Sequence, residues 1–335
     1  MNKIYPSSFF PSFAKALTFI KDVFSTLDLV QKKQADIFLV FDLYTFVLIH
    51  IALLMLWKES NKIIYRISAS VDDYINLKPF TWYKTLLFFL YRLFSKRTKY
   101  FIFTSKKGLN DFKKSTKINK NAKFFVIYNG IDNKLAEKMS FQKLSINEEG
   151  LFDKKYFKII SVGRLVEEKD YNTTLKAFSR IIISYPFCRL YIIGSGHLLQ
   201  EIKTNIDFLG LNKKVFLLGW KKNVFPYLKR SDLFIHSSNY EGFGYAILEA
   251  MTQKLPVIST NAPYGPSEIL DDGKYGILTS VGDEKAIANA IENFIKNKER
   301  YNYFAKKSFQ RSKFFSFYKS VKIYEKTIME VLKNN

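Results

Sequence analysis

The stretch FKIISVGRLVEEKDYNTTLKAFSRIII, residues 157–183, decides the fold. Phe157 to Val162 is an apolar run of strand length, the chain turns at Gly163, and from Asn172 to Ile183 the apolar residues recur at helical spacing. Gly163 permits the tight turn. Arg164 and Lys169, five positions apart across it, can converge on one anionic group at the start of the helix, where the dipole favours negative charge. The same unit recurs downstream. Apolar runs at Arg189–Ile193, Val215–Leu218, Leu233–His236, Pro256–Ser259 and Gly276–Leu278 alternate with helical segments near 198–209, 224–229, 245–252 and 284–297. Strand, helix and strand joined by short turns predict an α/β fold whose parallel sheet is covered on both faces and takes ligands at the carboxyl ends of its strands. A weaker version of the pattern precedes it, with strands expected at Ile37–Phe41, Lys62–Ile67, Tyr100–Phe103 and Lys123–Tyr128.

Glycine separates the two halves. None of the 14 glycines precedes Gly108 and eleven lie from Gly163 onward, so the second half is the one equipped with turns that let backbone approach a nucleotide. The length of 335 residues suits two domains, with a boundary between Ile131 and Lys155. We expect a first domain over 1–145, a nucleotide-binding domain over 146–310, and a C-terminal helix in 311–335 that packs back on the first domain.

Composition narrows the class further. Hydrophobic residues at 47% and charged residues at 25% exclude disorder and fibrous classes, while 53 Lys and Arg against 30 Asp and Glu point either to an anionic partner or to a Lys-rich genome. The single cysteine, Cys188, cannot form an internal disulfide, so a cytoplasmic setting is expected. Met1 to Phe24 lacks the pattern of a secretory signal. Ile37 to Trp57 has the length of a membrane span, but Asp42 and His50 interrupt it; a strand closing at Asp42 and a buried helix from Leu43 is the favoured reading, and a membrane-inserted helix is the alternative. His50 then reads as a core residue.

The chemistry concentrates at Glu241-Gly-Phe-Gly-Tyr-Ala-Ile-Leu-Glu249. Two carboxylates bracket a glycine loop that opens a helix, so both can face one ligand. A carboxylate accepts hydrogen bonds from vicinal hydroxyls, and the backbone of Gly242, Phe243 and Gly244 can present N–H groups to phosphate. Gly194 and Gly196 close the strand Arg189–Ile193 in a turn that is a weak signal alone. No His, Cys, Asp or Glu spacing suggests a metal site.

These residues resemble the retaining glycosyltransferases of family 4, which have the GT-B fold of two facing Rossmann-like domains. The markers are Tyr128-Asn129-Gly130-Ile131-Asp132, the Gly163–Asp170 turn, Glu241 to Glu249, Gly265-Pro266-Ser267-Glu268-Ile269 and Asp272-Gly273-Lys274-Tyr275-Gly276. The resemblance implies that Arg164 and Lys169 hold the donor diphosphate beside Gly163 and Gly194, that Glu241 meets the transferred sugar, that Glu249 meets the ribose, and that Gly219 and Trp220 lie near the base. It also implies transfer from a nucleotide-diphosphate sugar with retention, the leaving phosphate accepting the acceptor's proton, with no metal ion and no resident cofactor. The family normally opens with a strand and a glycine-rich loop, so the N-terminal domain here is expected to lack its first βαβ unit; many relatives also carry a histidine near the position of Ser68.

Between Trp82 and Lys123 stand twelve Lys or Arg, among them Lys84, Arg92, Lys96, Arg97, Lys106, Lys107 and Lys117, against one acid, Asp111. Interleaved with Leu86 to Leu90, they read as a basic amphipathic helix for an anionic membrane surface; a core helix with a solvated basic face is the alternative. No nucleic-acid motif accompanies the charge. The expected function is therefore a retaining hexosyltransferase moving sugar to a glycan or lipid-linked acceptor, in surface polysaccharide or glycolipid synthesis at the cytoplasmic face of the membrane. A non-catalytic binding or scaffold subunit of a glycan-assembly complex is the second reading.

Overall fold

The computed structural model describes residues 12–32, 35–58, 63–68, 82–116 and 118–334, with side chains from 18 onward in the first helix and from 85 in the helix that begins at 82. Residues 1–11, the start of the expected strand at Lys62, and the side chains of Lys84 and Lys117 lie outside that description, so the signal-peptide reading is not addressed.

The chain forms two compact units, one spanning 1–127 and 323–335, the other 128–322. In the first, helix α1 (Ser12–Lys32) precedes β1 (Phe38–Val40), α2 (Leu43–Met55), β2 (Ile63–Ile67), α3 (Trp82–Ser95), β3 (Tyr100–Phe103), α4 (Lys106–Ser115) and β4 (Lys123–Val126). The four strands are parallel and lie in chain order. Strand alternation sends Ile63, Tyr65, Phe101 and Phe103 to one face, where α1 to α4 bury Val30, Phe46, Tyr91, Phe94 and Phe112. Ile64, Tyr100 and Ile102 point to the other, against Tyr324, Ile328 and Val331.

The segment Ile37–Trp57 is a short strand and a 13-residue helix, with Asp42 capping the helix through the Thr45 amide. No helix among the described residues is long and apolar enough to cross a membrane. His50 is buried in the core: its Nδ1 lies 2.9 Å from the Phe46 carbonyl, Thr98 Oγ1 lies 3.0 Å from Nε2, and burial pushes its pKa down to about 4.

The second unit continues with α5 (Asn133–Ser140), α6 (Ile146–Leu151), β5 (Phe157–Val162), α7 (Tyr171–Ser184), β6 (Cys188–Ile193), α8 (Leu199–Phe208), β7 (Val215–Gly219), α9 (Phe225–Arg230) and β8 (Leu233–His236). After these come α10 (Tyr245–Thr252), β9 (Val257–Thr260), α11 (Gly265–Ile269), β10 (Ile277–Thr279), α12 (Glu284–Lys296) and α13 (Lys298–Ser312), and the last helix, α14 (Phe317–Lys333), begins in the second unit and belongs to the first from Ile323 on. Its sheet is wholly parallel in the order β10-β9-β8-β5-β6-β7, so β5 and β8 are central neighbours although their starts, Phe157 and Leu233, are 76 positions apart. Apolar side chains fill both faces, as the runs of Ile, Leu and Phe require.

The division after Ile127 falls earlier than a boundary at 145. Tyr128 to Asp132 belongs with the second unit because its backbone exchanges hydrogen bonds with Phe315 and Phe317, and because a Cβ on Gly130 would come within 2.5 Å of the Phe317 Cα. Tyr128 meets Phe243 and Phe315 edge on or tilted and donates to Glu268 at 2.8 Å.

Candidate active site

The carboxyl ends of β5, β6 and β7 are stitched together by their turns. Gly163 N donates to the Ile193 carbonyl, Leu165 N to Ser195, and Gly194 N to Gly219, at 2.9 to 3.0 Å. At Gly194 the approach is so close that a Cβ would sit 1.8 Å from the Gly163 carbonyl oxygen, at a φ of +156°. The weak glycine turn of the sequence is thus a packing requirement: it holds the Gly163–Asp170 loop against the sheet.

From β5 the chain passes through a 3₁₀ turn, Glu167–Lys169, into α7. Asp170 adopts the left-handed conformation and caps α7, accepting from the Thr173 amide and hydroxyl at 3.2 Å and 2.6 Å. The N-terminus of α7 therefore already holds a carboxylate on its Thr173 amide. The loop leaving β8 pins the turn from the other side. Ser237 Oγ lies 2.9 Å and 2.8 Å from the carbonyls of Lys169 and Asp170, and Asn239 N donates to the Glu168 carbonyl.

This places Lys169 beside the glutamate loop. Its stem crosses Gly163, its Nζ donates to Glu241 Oε2, and the two side chains are only 16% and 15% exposed. His236, the last residue of β8 and 3% exposed, completes the cluster: Nε2 lies 3.0 Å from the same Glu241 oxygen and 3.0 Å from Ser238 Oγ. Burial lowers the His236 pKa, so the ring is neutral and we assign the proton to Nε2, donating to Glu241. Burial alone would raise the Glu241 carboxyl. The His236 hydrogen bond and the Lys169 charge outweigh it and hold the group at about 2, so Glu241 is ionised.

Glu249 is shifted the other way. It lies on α10, whose first turn begins after Gly244 at φ +95° with no side chain capping it. Gly265 packs so tightly on this loop that a Cβ would meet the Phe243 carbonyl oxygen at 1.8 Å, which fixes the path of Gly242, Phe243 and Gly244. No hydrogen bond or ion pair reaches the Glu249 carboxyl from any described residue, and burial pushes its pKa up to about 7. A half-buried acceptor with no donor is suited to a ligand that brings hydroxyl groups.

The structure thus joins Lys169 to Glu241 and leaves Arg164 apart from both. Arg164 is exposed and pairs with no other described residue. Gly219, at φ +69°, ends β7 and is followed by Trp220, whose ring is 68% exposed. Sequence reasoning passed over His236 and Ser238. The available signal was a histidine at the carboxyl end of a strand, five residues before Glu241, but its partner becomes visible only when β8 is placed beside β5. Among the described residues no group of three or more His, Cys, Asp or Glu is placed to hold a metal ion.

Comparison with known proteins places this geometry in context. The model of the family described as glycosyl transferases group 1 matches residues 142–311. A glycosyltransferase of Methanocaldococcus jannaschii is 32% identical over 210 residues, covering 59% of this chain and 51% of that protein. The Campylobacter jejuni N-acetylgalactosamine-N,N'-diacetylbacillosaminyl-diphospho-undecaprenol 4-alpha-N-acetylgalactosaminyltransferase is 25% identical over 227 residues, 68% of this chain and 59% of that protein. The chain therefore spans between half and three fifths of the length of these relatives. Among solved structures, Anabaena HepE in complex with UDP-glucose superposes with a TM-score of 0.76 at 20% identity, over 92% of this chain and 82% of that one. Sucrose-phosphate synthase from Thermosynechococcus elongatus superposes at 0.80 and 16% identity, over 99% and 83%. At these identities the likeness is one of fold: α/β with two parallel sheets, the GT-B class.

Proposed function

Because this chain belongs to the group 1 glycosyl transferases, we propose that it transfers a hexosyl group from a nucleotide-diphosphate sugar, with retention of configuration, to a glycan or lipid-linked acceptor. The observation that carries the reading is a pair of glutamates with oppositely shifted acidities, one at the carboxyl ends of β5 and β8 and one on α10. An ionised Glu241 is bound to Lys169, and an unpartnered Glu249 stands on the helix that the glycine loop opens.

In this reading the donor diphosphate lies over Gly163 and the uncapped start of α10, drawing the Lys169 ammonium from Glu241 to a phosphate oxygen and recruiting the exposed Arg164. Glu241, still held by His236, then accepts from hydroxyls of the transferred sugar, and Glu249 accepts from the ribose. Gly194 keeps the turn in place, while Gly219 and Trp220 flank the base. As the sugar becomes oxocarbenium-like, the cations stabilise charge growing on the leaving phosphate, which takes the acceptor's proton. No step in this scheme uses a metal ion or resident cofactor.

The Campylobacter relative acts on an undecaprenol-linked substrate and HepE binds UDP-glucose. These names support a UDP-sugar as the first donor to try and a polyprenol-linked glycan as the first acceptor, at the cytoplasmic face of a membrane. Incubation of the two with the protein, followed by measurement of the anomeric proton coupling in the product, is expected to show the donor's configuration kept. An inverted product contradicts the scheme, and binding of nucleotide without transfer to any acceptor favours a scaffold subunit.

His236 is the positioning residue of this site. His236→Ala is expected to lower kcat/KM by about ten- to a hundredfold, because one charge-assisted hydrogen bond to Glu241 contributes roughly 1.5–3 kcal/mol. It also removes a donor that stabilises the ionised carboxylate, so the acid limb of the pH–rate profile moves to higher pH. His236→Gln, which keeps a donor, restores part of both. A profile unchanged in His236→Ala would show that the contact is only structural.

A further inference from the structure

Helix α3 is apolar on two sides. Tyr91 and Phe94 face inward, each 2% exposed, Tyr91 meeting Phe46 and Tyr65 and Phe94 stacking on His50 at 4.8 Å. On the opposite side Leu86, Phe89 and Leu93, at i, i+3 and i+7, form a stripe that is 39%, 63% and 40% exposed. Arg92 beside the stripe places its guanidinium 4.4 Å from the Phe88 ring centroid, and Lys96 and Arg97 follow the helix end, both exposed. Helix α2, against which α3 packs, is followed by a turn that carries Trp57, 98% exposed at a φ of +53°.

Burial of Tyr91 and Phe94 explains one face of α3; nothing in the core explains the other. We propose that the outward face of α3, with Leu86, Phe89 and Leu93 as the inserting side chains and Arg92, Lys96 and Arg97 at headgroup level, docks on the surface of an anionic lipid bilayer. Charge complementarity selects this occupant: residues 85–123 carry eleven Lys or Arg and one acid, Asp111. Aliphatic and aromatic side chains enter the acyl boundary while the long basic side chains reach up to the phosphates, the arrangement of an interfacial helix that does not span. A second copy of the chain is a poorer occupant, since three half-exposed side chains bury on the order of 250 Å² per copy, well short of the roughly 1,200 Å² total of a stable interface. The proposal rests on the functional reading above only in supplying a lipid-linked acceptor; the surface itself lies wholly in the first unit.

The test is cosedimentation of the full chain with vesicles of equal parts phosphatidylglycerol and phosphatidylcholine, and of phosphatidylcholine alone. Wild type is expected to bind the first and not the second. Phe89→Glu and Leu93→Glu are each expected to lower the partition coefficient at least tenfold with thermal unfolding unchanged, and Lys96→Glu to weaken binding less. Lys169→Ala is expected to bind vesicles as wild type does while failing in nucleotide titrations, so loss of one reading leaves the other standing. Equal binding to both vesicle types, wild-type binding by the Phe89 and Leu93 variants, or conversion of a dimer to monomer by Phe89→Glu without vesicle binding would each overturn the proposal.

Discussion

Lys169→Ala is expected to lower the rate of sugar transfer by on the order of 10²-fold or more, the effect of removing one preorganised group that stabilises developing charge. Two consequences combine in this variant. The leaving phosphate loses a cation already fixed within reach, because the Lys169 stem lies along Gly163 and its turn is held by Ser237 and Asn239. Glu241 also loses its charge partner while remaining only 15% exposed, so its carboxyl pKa rises and part of the population is protonated at the acid end of the working range. Donor consumption measured across pH separates the two: the lost cation lowers the plateau, and the Glu241 shift moves the acid limb upward. Arg164→Ala, whose guanidinium is exposed and engaged by the ligand alone, is expected to change the plateau without moving the limb.

Glu249→Gln is expected to make the protein more stable at pH 8 and a poorer nucleotide binder. The wild-type carboxyl has its pKa raised by burial from 4.5 to about 7, so folding takes up a proton between those values. The sign follows: stability is greatest at low pH for this group, and it is lost as pH rises from 4.5 through 7. The loss reaches an upper limit of about 3 kcal/mol, taking 1.36 kcal/mol per unit. Gln does not ionise and escapes that loss, so unfolding in urea at pH 8 shows a gain on the order of 1–3 kcal/mol and at pH 5 little change. Nucleoside diphosphate affinity moves the other way, falling roughly tenfold or more as the charged acceptor for ribose hydroxyls disappears. For wild type the same group makes affinity fall as pH drops below 7, because binding then requires a proton to leave. Equal destabilisation by Glu249→Gln at both pH values would show the carboxyl to be a structural group.

These predictions turn on features that the sequence exposes unevenly. The strands of the second unit are legible as unbroken apolar runs because both faces of a parallel sheet are covered. Gly244 before Tyr245 marks the start of α10 because the chain there needs a positive φ. The turn glycines and the two glutamates are legible for the same reason: their constraints are local. Lys169 and Glu241 form an ion pair across 72 positions, and His236 joins them through the adjacency of β5 and β8, which is a fact of topology and not of any window of sequence. The cap on α7 escaped notice because Asp170 reads as one more polar residue of the turn. In α3 the periodicity shows an apolar helix with basic neighbours, yet Leu86 and Tyr91 look alike until the sheet beneath them decides which is buried. The division at Ile127 depends on Gly130 meeting the backbone at Phe317, a contact between chain segments 187 positions apart.

The most direct test of the site is calorimetric titration of UDP, GDP and ADP into the full chain at pH 7.5, with Lys169→Ala and Glu249→Gln titrated beside it. One nucleotide is expected to bind wild type, with each variant at least tenfold weaker and the wild-type affinity falling toward pH 6. If no nucleotide binds, or if both variants bind as wild type does, the cluster at the carboxyl ends of β5 and β8 and the loop before α10 is not a donor site.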